Sequence, residues 1–232
     1  MGRIGRISKI RRYPVKSMEG EDLTSAALES YGMVGDRVYA FIDDQNRNAR
    51  FPWMTARNAN EMLLFKPTFL SYKEVIVKSP DGKEYSINDP ALERYFEEKY
   101  SLQMTLKYRE SGCQDSRPLS LISSHTIESL GGETGLELAG ERFRANIYVD
   151  WDNRRPFYED ELLGSEINLG EVTLKIVKKD SRCVIPTLDP RTSIASPIIL
   201  QCLQKNHGGC MGVYAEVERP GQINLYDEIF LP

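Results

Sequence analysis

A chain of 232 residues with 41% hydrophobic content can bury a sizeable core in one large domain or two small ones. Its net charge of -4 excludes a general nucleic-acid binder, whose affinity rests on a strong basic excess, and the composition is that of an ordinary soluble globular protein. Four cysteines without a C-x-x-C pair, and two histidines, argue against a zinc or iron–sulfur site built from the chain alone and against a disulfide scaffold, so a reducing, cytoplasmic setting is expected.

The sequence opens on a basic run in which Arg3, Arg6, Lys9, Arg11, Arg12 and Lys16 all precede the first acidic residue, Glu19. Ile4, Ile7, Ile10 and Val15 never form the continuous apolar stretch of a secretory signal or membrane span, so no membrane association is expected. Pro14-Val15-Lys16-Ser17 leads on into folded-looking sequence, which argues against a transit peptide. Strand-like runs rich in β-branched and aromatic residues follow at 37–42, 74–78, 84–87 and 104–108. Residues 43–46 and 79–82 have the composition of hairpin loops. Asp89-Pro90 sets a capping carboxylate before a proline at the first helical position, predicting a helix with Leu92, Tyr95 and Phe96 on its apolar face that ends near Tyr100.

A polar, turn-prone step at 110–112 divides the chain into an N-terminal β-rich module, 1–110, and a second domain, 111–232. In the second, Ser124 is expected to cap a short helix through Leu130 that Gly131-Gly132 stops. Strand-like runs lie at 146–149, 172–177, 212–217 and 223–225, the last two parted by a Pro220-Gly221 turn and expected to form a closing hairpin. Ser196-Pro197 opens a third helix, with Ile198, Ile199, Cys202 and Leu203 on its buried side and His207 at its end. The chain shows no internal repeat and no βαβ alternation, so the reading is mainly β, closed or strongly curved, with a few short helices.

Chemistry concentrates at Ser181-Arg182-Cys183, followed by Thr187 and Asp189-Pro190, where a thiol sits beside a fixed cation in a loop. Arg182 favours the thiolate, the form required of a nucleophile or a soft-metal ligand. Read alone, a single cysteine is more usually a small core hydrophobe. Cations and hydroxyls recur at strand ends: Lys16-Ser17, then Asp36-Arg37, where the aspartate can neutralise its neighbour. Arg142-Phe143-Arg144-Ala145-Asn146 reads as an alternating segment entering a strand, with Arg142, Arg144 and Asn146 on one face asking for an anion or a polar heterocycle. Ser120, Ser123 and Ser124 add hydroxyls near a helix start. Neither glycine-rich phosphate motif is present. A cysteine-protease arrangement would need Cys183 to meet His125 or His207, which the sequence permits without indicating.

Together with Tyr13-Pro14-Val15-Lys16-Ser17, Gly35-Asp36-Arg37, Thr55-Ala56-Arg57, Gly212-Val213-Tyr214 and the stretch 221–227, these segments resemble the MOSC-domain family, named for the C-terminal domain of molybdenum cofactor sulfurase, with its N-terminal β-barrel module. The resemblance covers nearly the whole chain. It implies a MOSC-type β-barrel packed on a smaller N-terminal β-rich module, with the ligand in a cleft where the two meet. In molybdenum-binding members, such as the mitochondrial amidoxime-reducing component and its bacterial relatives, the cysteine matching Cys183 ligates molybdenum. The pterin and its phosphate are held by positions matching Lys16, Ser17, Arg37, Arg144, Asn146 and Arg182, with Asp115, Ser116, Arg117 and Ser123 near the cofactor. Loops 46–53 and 151–158 are expected at the mouth.

The resemblance implies a molybdenum cofactor (molybdopterin) enzyme that reduces N-hydroxylated or N-oxygenated compounds with electrons from a separate ferredoxin, flavodoxin or cytochrome-type partner. The alternative is a non-catalytic carrier of sulfur, as a Cys183 persulfide, or of the cofactor, working with a transfer partner. Neither an appended ferredoxin domain nor the pyridoxal-phosphate domain of the full sulfurase is found, so no intrinsic iron–sulfur cluster and no pyridoxal phosphate are expected. Two positions depart from the family pattern: Ala145 stands where proline is usual, and Tyr226 where glycine is common.

Overall fold

Ile7 and Ile10, inside the basic N-terminal run, are completely buried, because that run is the strand around which the larger sheet closes. A computed structural model describes residues 2–232. The first half holds β1 (Gly2–Arg12), β2 (Glu21–Leu23), β3 (Ser25–Glu29), β4 (Gly32–Met33), β5 (Tyr39–Asp43), β6 (Lys66–Ser71), β7 (Glu74–Lys78), β8 (Glu84–Ser86), helix α1 (Pro90–Tyr100) and β9 (Met104–Tyr108). The second half holds β10 (Leu119–Ser123), α2 (Ser124–Thr134), β11 (Ile147–Trp151), β12 (Glu166–Leu169), β13 (Val172–Ser181), α3 (Ile198–Asn206), β14 (Cys210–Arg219), β15 (Gly221–Asn224) and β16 (Glu228–Leu231).

The fold is mainly β. Strands run in the order β11-β10-β14-β13-β12-β16-β1, and β1 pairs again with β11, so seven strands close into a barrel with β2 on its rim. Inward residues alternate along each strand; in β13 Val172, Leu174 and Ile176 are buried while Thr173 and Lys175 are not. Closure leaves these strands without free edges. The chain then leaves the barrel at 13–17, where Val15 bridges Tyr39, and enters a second core with Phe41, Phe65 and Phe96. That core is wrapped by the β5-β9 pair, the β6-β7-β8 sheet and α1. Helices α2 and α3 cover the barrel's outer wall through Ile122, Leu130, Ile199 and Leu203.

Helix α1 is capped as its sequence requires, Asp89 accepting from Ala91 N at 2.8 Å. Residues 79–82 do close the β7-β8 hairpin. Five expectations fail. Ile198, the first residue of α3, is 48% exposed and not on the helix's buried side, which Ile199 and Leu203 form. The 212–217 and 223–225 runs do not pair: β14 already has β10 on one side and β13 on the other, so β15 crosses to β3. Residues 43–46 are a 3-10 turn capped by Asp43 instead of a hairpin loop, since the partner of β5 is β9. Helix α2 runs through Gly131-Gly132 to Thr134, a mid-helix glycine costing only about 1 kcal/mol; Gly135, at φ 68°, ends it, and its cap is Ser123. Residues 140–143 form a 3-10 turn and Arg144 is left-handed at φ 52°, so 142–146 is no alternating strand.

Candidate functional site

Where the barrel meets the second core, the chain is bent at three charged or polar positions. Ser17, Arg37 and Arg144 all adopt left-handed backbone, at φ 66°, 52° and 52°. Such conformations are costly for residues with a Cβ and persist where the surroundings over-determine them. All three line one cavity of about 440 Å³, together with residues from 55–57, 114–117, 180–186 and Tyr214.

Lys16 lies on its floor, buried, donating to the Cys113 carbonyl at 2.7 Å and pairing with Asp115 at 2.8 Å. Burial pulls its pKa below the ordinary lysine value against the opposing pull of Asp115. Arg37 pairs with Asp36 and donates to the Arg144 carbonyl at 2.9 Å. Although burial opposes its charge, Asp36 keeps its pKa raised. Arg37 and Arg144 stack on the Tyr13 ring at 4.7 and 4.3 Å. Asn146 anchors the same corner, its Nδ2 donating to the Arg11 carbonyl at 3.3 Å.

Arg144 differs from every other cation lining the cavity. Its Nη1 donates to the Met18 carbonyl at 2.7 Å, its Nη2 is buried without a partner, and no carboxylate pairs with it among the described residues. Burial, with Arg37 adding to it, lowers its pKa to about 10.

Arg182 does not serve Cys183 as the adjacent sequence suggests. Its guanidinium turns inward to the Met211 carbonyl (2.8 Å), the Phe143 carbonyl (2.7 Å) and Asp180 (3.0 Å), leaving Nη2 unpartnered. Consecutive side chains leaving a strand point to opposite sides, which separates it from Cys183. Gly212 makes room for it: at φ 73°, a Cβ there would stand 2.6 Å from the Leu121 carbonyl oxygen and 3.2 Å from Arg182 Nη2. The cation that faces the partly buried Cys183 thiol is Arg57, 58 residues before Asp115 in the chain and paired with it at 3.4 Å. Burial opposes the Arg57 charge, but Cys183 and Asp115 outweigh it and its pKa is raised.

Ten of the eleven residues singled out from the sequence line this cavity: Lys16, Ser17, Arg37, Asp115, Ser116, Arg117, Arg144, Asn146, Arg182 and Cys183. Ser123 does not; it is fully buried and caps α2, accepting from His125 N at 3.1 Å. Reading the motifs missed the parts played by Arg57, Asp180 and Tyr214. Thr55-Ala56-Arg57 was the available signal for the first, but its meeting with Cys183 is tertiary. Neither expected mouth loop contributes to the cavity lining: the Trp53 ring lies 5.7 Å from Lys16 Nζ, and Phe157 stacks on His207 at 4.1 Å. Neither histidine lines the cavity, and His207 is held by Glu133 at 2.9 Å, so no cysteine–histidine pair forms at Cys183.

Seven cations against two carboxylates line the cavity, with one thiol. Among the described residues no group of three or more His, Cys, Asp or Glu could hold a metal ion, and Cys183 is the one sulfur lining the cavity. Arg144 Nη2 and Arg182 Nη2 remain buried donors without an acceptor, so the cavity wall carries more donor capacity than its own acceptors satisfy.

A closed β-barrel joined to a second β module, with a cation-rich cavity at the junction, defines the class. The MOSC domain matches residues 108–230 and the MOSC N-terminal beta barrel domain residues 4–115; the chain belongs to the MOSC-domain family. It is 26% identical over 130 residues to human mitochondrial amidoxime-reducing component 1, covering 50% of this chain and 37% of that protein. Over 247 residues it is 24% identical to the molybdenum cofactor sulfurase of Drosophila grimshawi, covering 87% of this chain and 31% of that protein. The chain thus spans less than half the length of these curated relatives. The crystal structure of the YUAD protein from Bacillus subtilis shares the fold, with a TM-score of 0.50 at 15% identity, covering 97% of this chain and 94% of that one. No helix among the described residues is long and apolar enough to cross a membrane.

Proposed function

We propose that this protein binds the molybdenum cofactor through Cys183 and the surrounding cations, and reduces N-hydroxylated or N-oxygenated small molecules with electrons from a separate donor protein. The observation that carries this is the single thiol in a 440 Å³ cavity whose arginines leave buried donors unpaired. When bound, the cofactor would supply the two-electron chemistry: an N–O bond breaks, two electrons and two protons enter, and amine and water leave.

The chain's own residues bind and orient. Cys183 would give one sulfur ligand, and Arg57 faces that sulfur. Arg144, Arg37 and Arg182 take the anionic oxygens, Arg144 having no internal counter-charge to displace. Lys16, Ser17, Asn146 and the 115–117 segment fix the remaining polar edges. In this reading the barrel, which β1 closes, and the second core clasp the cofactor between them. The donor would be of ferredoxin, flavodoxin or cytochrome type.

The test is molybdenum and pterin analysis of freshly purified protein beside Cys183→Ser, followed by amidoxime or hydroxylamine reduction with an artificial electron donor. Bound metal and pterin that fall sharply in Cys183→Ser, with turnover by the wild type, are expected. Cofactor-loaded protein without turnover on any such substrate would remove the enzyme reading. A labile one-sulfur mass adduct lost in Cys183→Ala, without bound metal, would instead identify a sulfur carrier.

A further inference from the structure

Nine large hydrophobic side chains are exposed among the described residues, and three of them, Val184, Ile194 and Ile198, fall within residues 184–198, directly after Cys183. They are 43%, 68% and 48% exposed, and Ala195 and Pro197 beside them are exposed as well. We propose that this segment is the docking surface for an acidic electron-donor protein, a reading that rests on the function proposed above.

Hydrogen bonds fold the segment back on itself. Ser196 N donates to the Thr187 carbonyl and Asp189 N to the Ile194 carbonyl, both at 2.8 Å, and Leu188 bridges Ala195. Its inward side chains are spent on packing, Ile185 and Leu188 against Ala56 and Leu63. The outward apolar ones are left uncovered, and a cluster of such side chains marks an interaction surface more than a single one does. Ile185 and Pro186 line the cavity together with Cys183, so Val184 stands at its edge. Val184 is one peptide unit, about 3.8 Å, from Cys183, and a redox group seated over it has a short path to the sulfur.

The occupant's charge follows from the two segments that meet here. The end of 46–60 adjoins 183–193: Arg57 faces Cys183, and Asn60 Nδ2 donates to the Ser193 carbonyl at 3.3 Å. Residues 46–60 hold three arginines and no carboxylate, and residues 181–206 hold Arg182, Arg191 and Lys205 against Asp189 alone. In a chain of net charge -4 this is a local basic excess. Asp189 is held by Arg142 at 2.6 Å, whereas Arg191 and Lys205 are exposed with no ion pair among the described residues. An apolar centre with a cationic rim fits a transient partner of opposite charge, which the cations steer and the apolar contact holds. A second copy of this chain fits less well, because a two-fold contact centred on Ile194 brings the two basic rims together.

Two strongly acidic redox proteins, a flavodoxin and a plant-type ferredoxin, serve as probes in calorimetry with the full chain. At least one should bind in about 20 mM salt, and about 200 mM salt should weaken that binding about tenfold. Ile194→Asp and Arg191→Glu should each weaken it about tenfold, with Tm, molybdenum and pterin content as in the wild type, because neither residue lines the Cys183 cavity. Lys78→Glu, on β7, should bind as the wild type does. Binding of neither probe, or binding that Ile194→Asp and Arg191→Glu leave unchanged, would overturn the proposal. So would a dimer in sedimentation that Ile194→Asp dissociates, since a second copy would then be the occupant. Binding that depends on Ile194 and Arg191, by a protein that takes up no molybdenum, would leave the surface standing and fail only the proposed function.

Discussion

Arg144→Met should make the ligand-free protein more stable. Burial next to Arg37 brings the Arg144 guanidinium well below its ordinary value, to about 10. At about 1.4 kcal/mol per pKa unit, keeping this cation charged in the folded state costs about 3 kcal/mol. Methionine removes that cost. It also removes the bond to the Met18 carbonyl and the stacking on Tyr13, together worth about 2 kcal/mol. The net expectation is a gain of about 1 kcal/mol, or roughly 2 to 4 °C in Tm for a chain of this size. Because the folded pKa lies below the unfolded one, the penalty is complete at lower pH and is relieved only as pH climbs through about 10. The gain should therefore be constant between about pH 6 and 9, measured by urea unfolding. A loss of more than about 1 kcal/mol in the cofactor-free protein would refute the view that Arg144 is held ready for a ligand at the expense of stability.

Asp115→Ala leaves the buried Lys16 ammonium without its counter-charge and should destabilise by about 3 kcal/mol at pH 7. Burial opposes the Asp115 charge, but Lys16 and Arg57 hold its pKa below the ordinary value, so its contribution is complete above about pH 4 and lost as pH falls through the folded pKa; unfolding curves of wild type and variant should converge in acid. Gly212→Ala forces a Cβ to 2.6 Å from the Leu121 carbonyl oxygen in left-handed backbone and should cost about 2 kcal/mol or more; an unchanged Tm would contradict the close approach. Ser123→Ala should cost about 1 kcal/mol, as for other N-caps, with metal and pterin content unchanged. A selective loss of cofactor in that variant would return Ser123 to the site.

Several elements were legible in the residues themselves. Asp89-Pro90 announces α1 because capping and a preset φ act within one turn, and the 79–82 loop announces its hairpin for the same local reason. Strand runs such as 74–78 and 172–177 stand out by alternation. Their partners do not: β14 and β15 are consecutive in the chain, yet pairing was decided by which edges the closing barrel had already filled. The basic start of the chain is not among the strand-like runs, and its place as β1 is fixed by β11 and β16 on either side of it.

The site divides in the same way. Residue type alone determined that a thiol, several arginines and a lysine would answer to a soft metal and an anion, since those affinities belong to the side chains wherever they sit. Only the tertiary structure decided which cation faces Cys183, Arg57 and not the neighbouring Arg182, and which arginine lacks a counter-ion. A guanidinium's role depends on what its several nitrogens find within hydrogen-bond reach. Those neighbours, Met211, Phe143 and Asp180 for one arginine and Met18 for another, come from chain segments brought together only when the barrel closes.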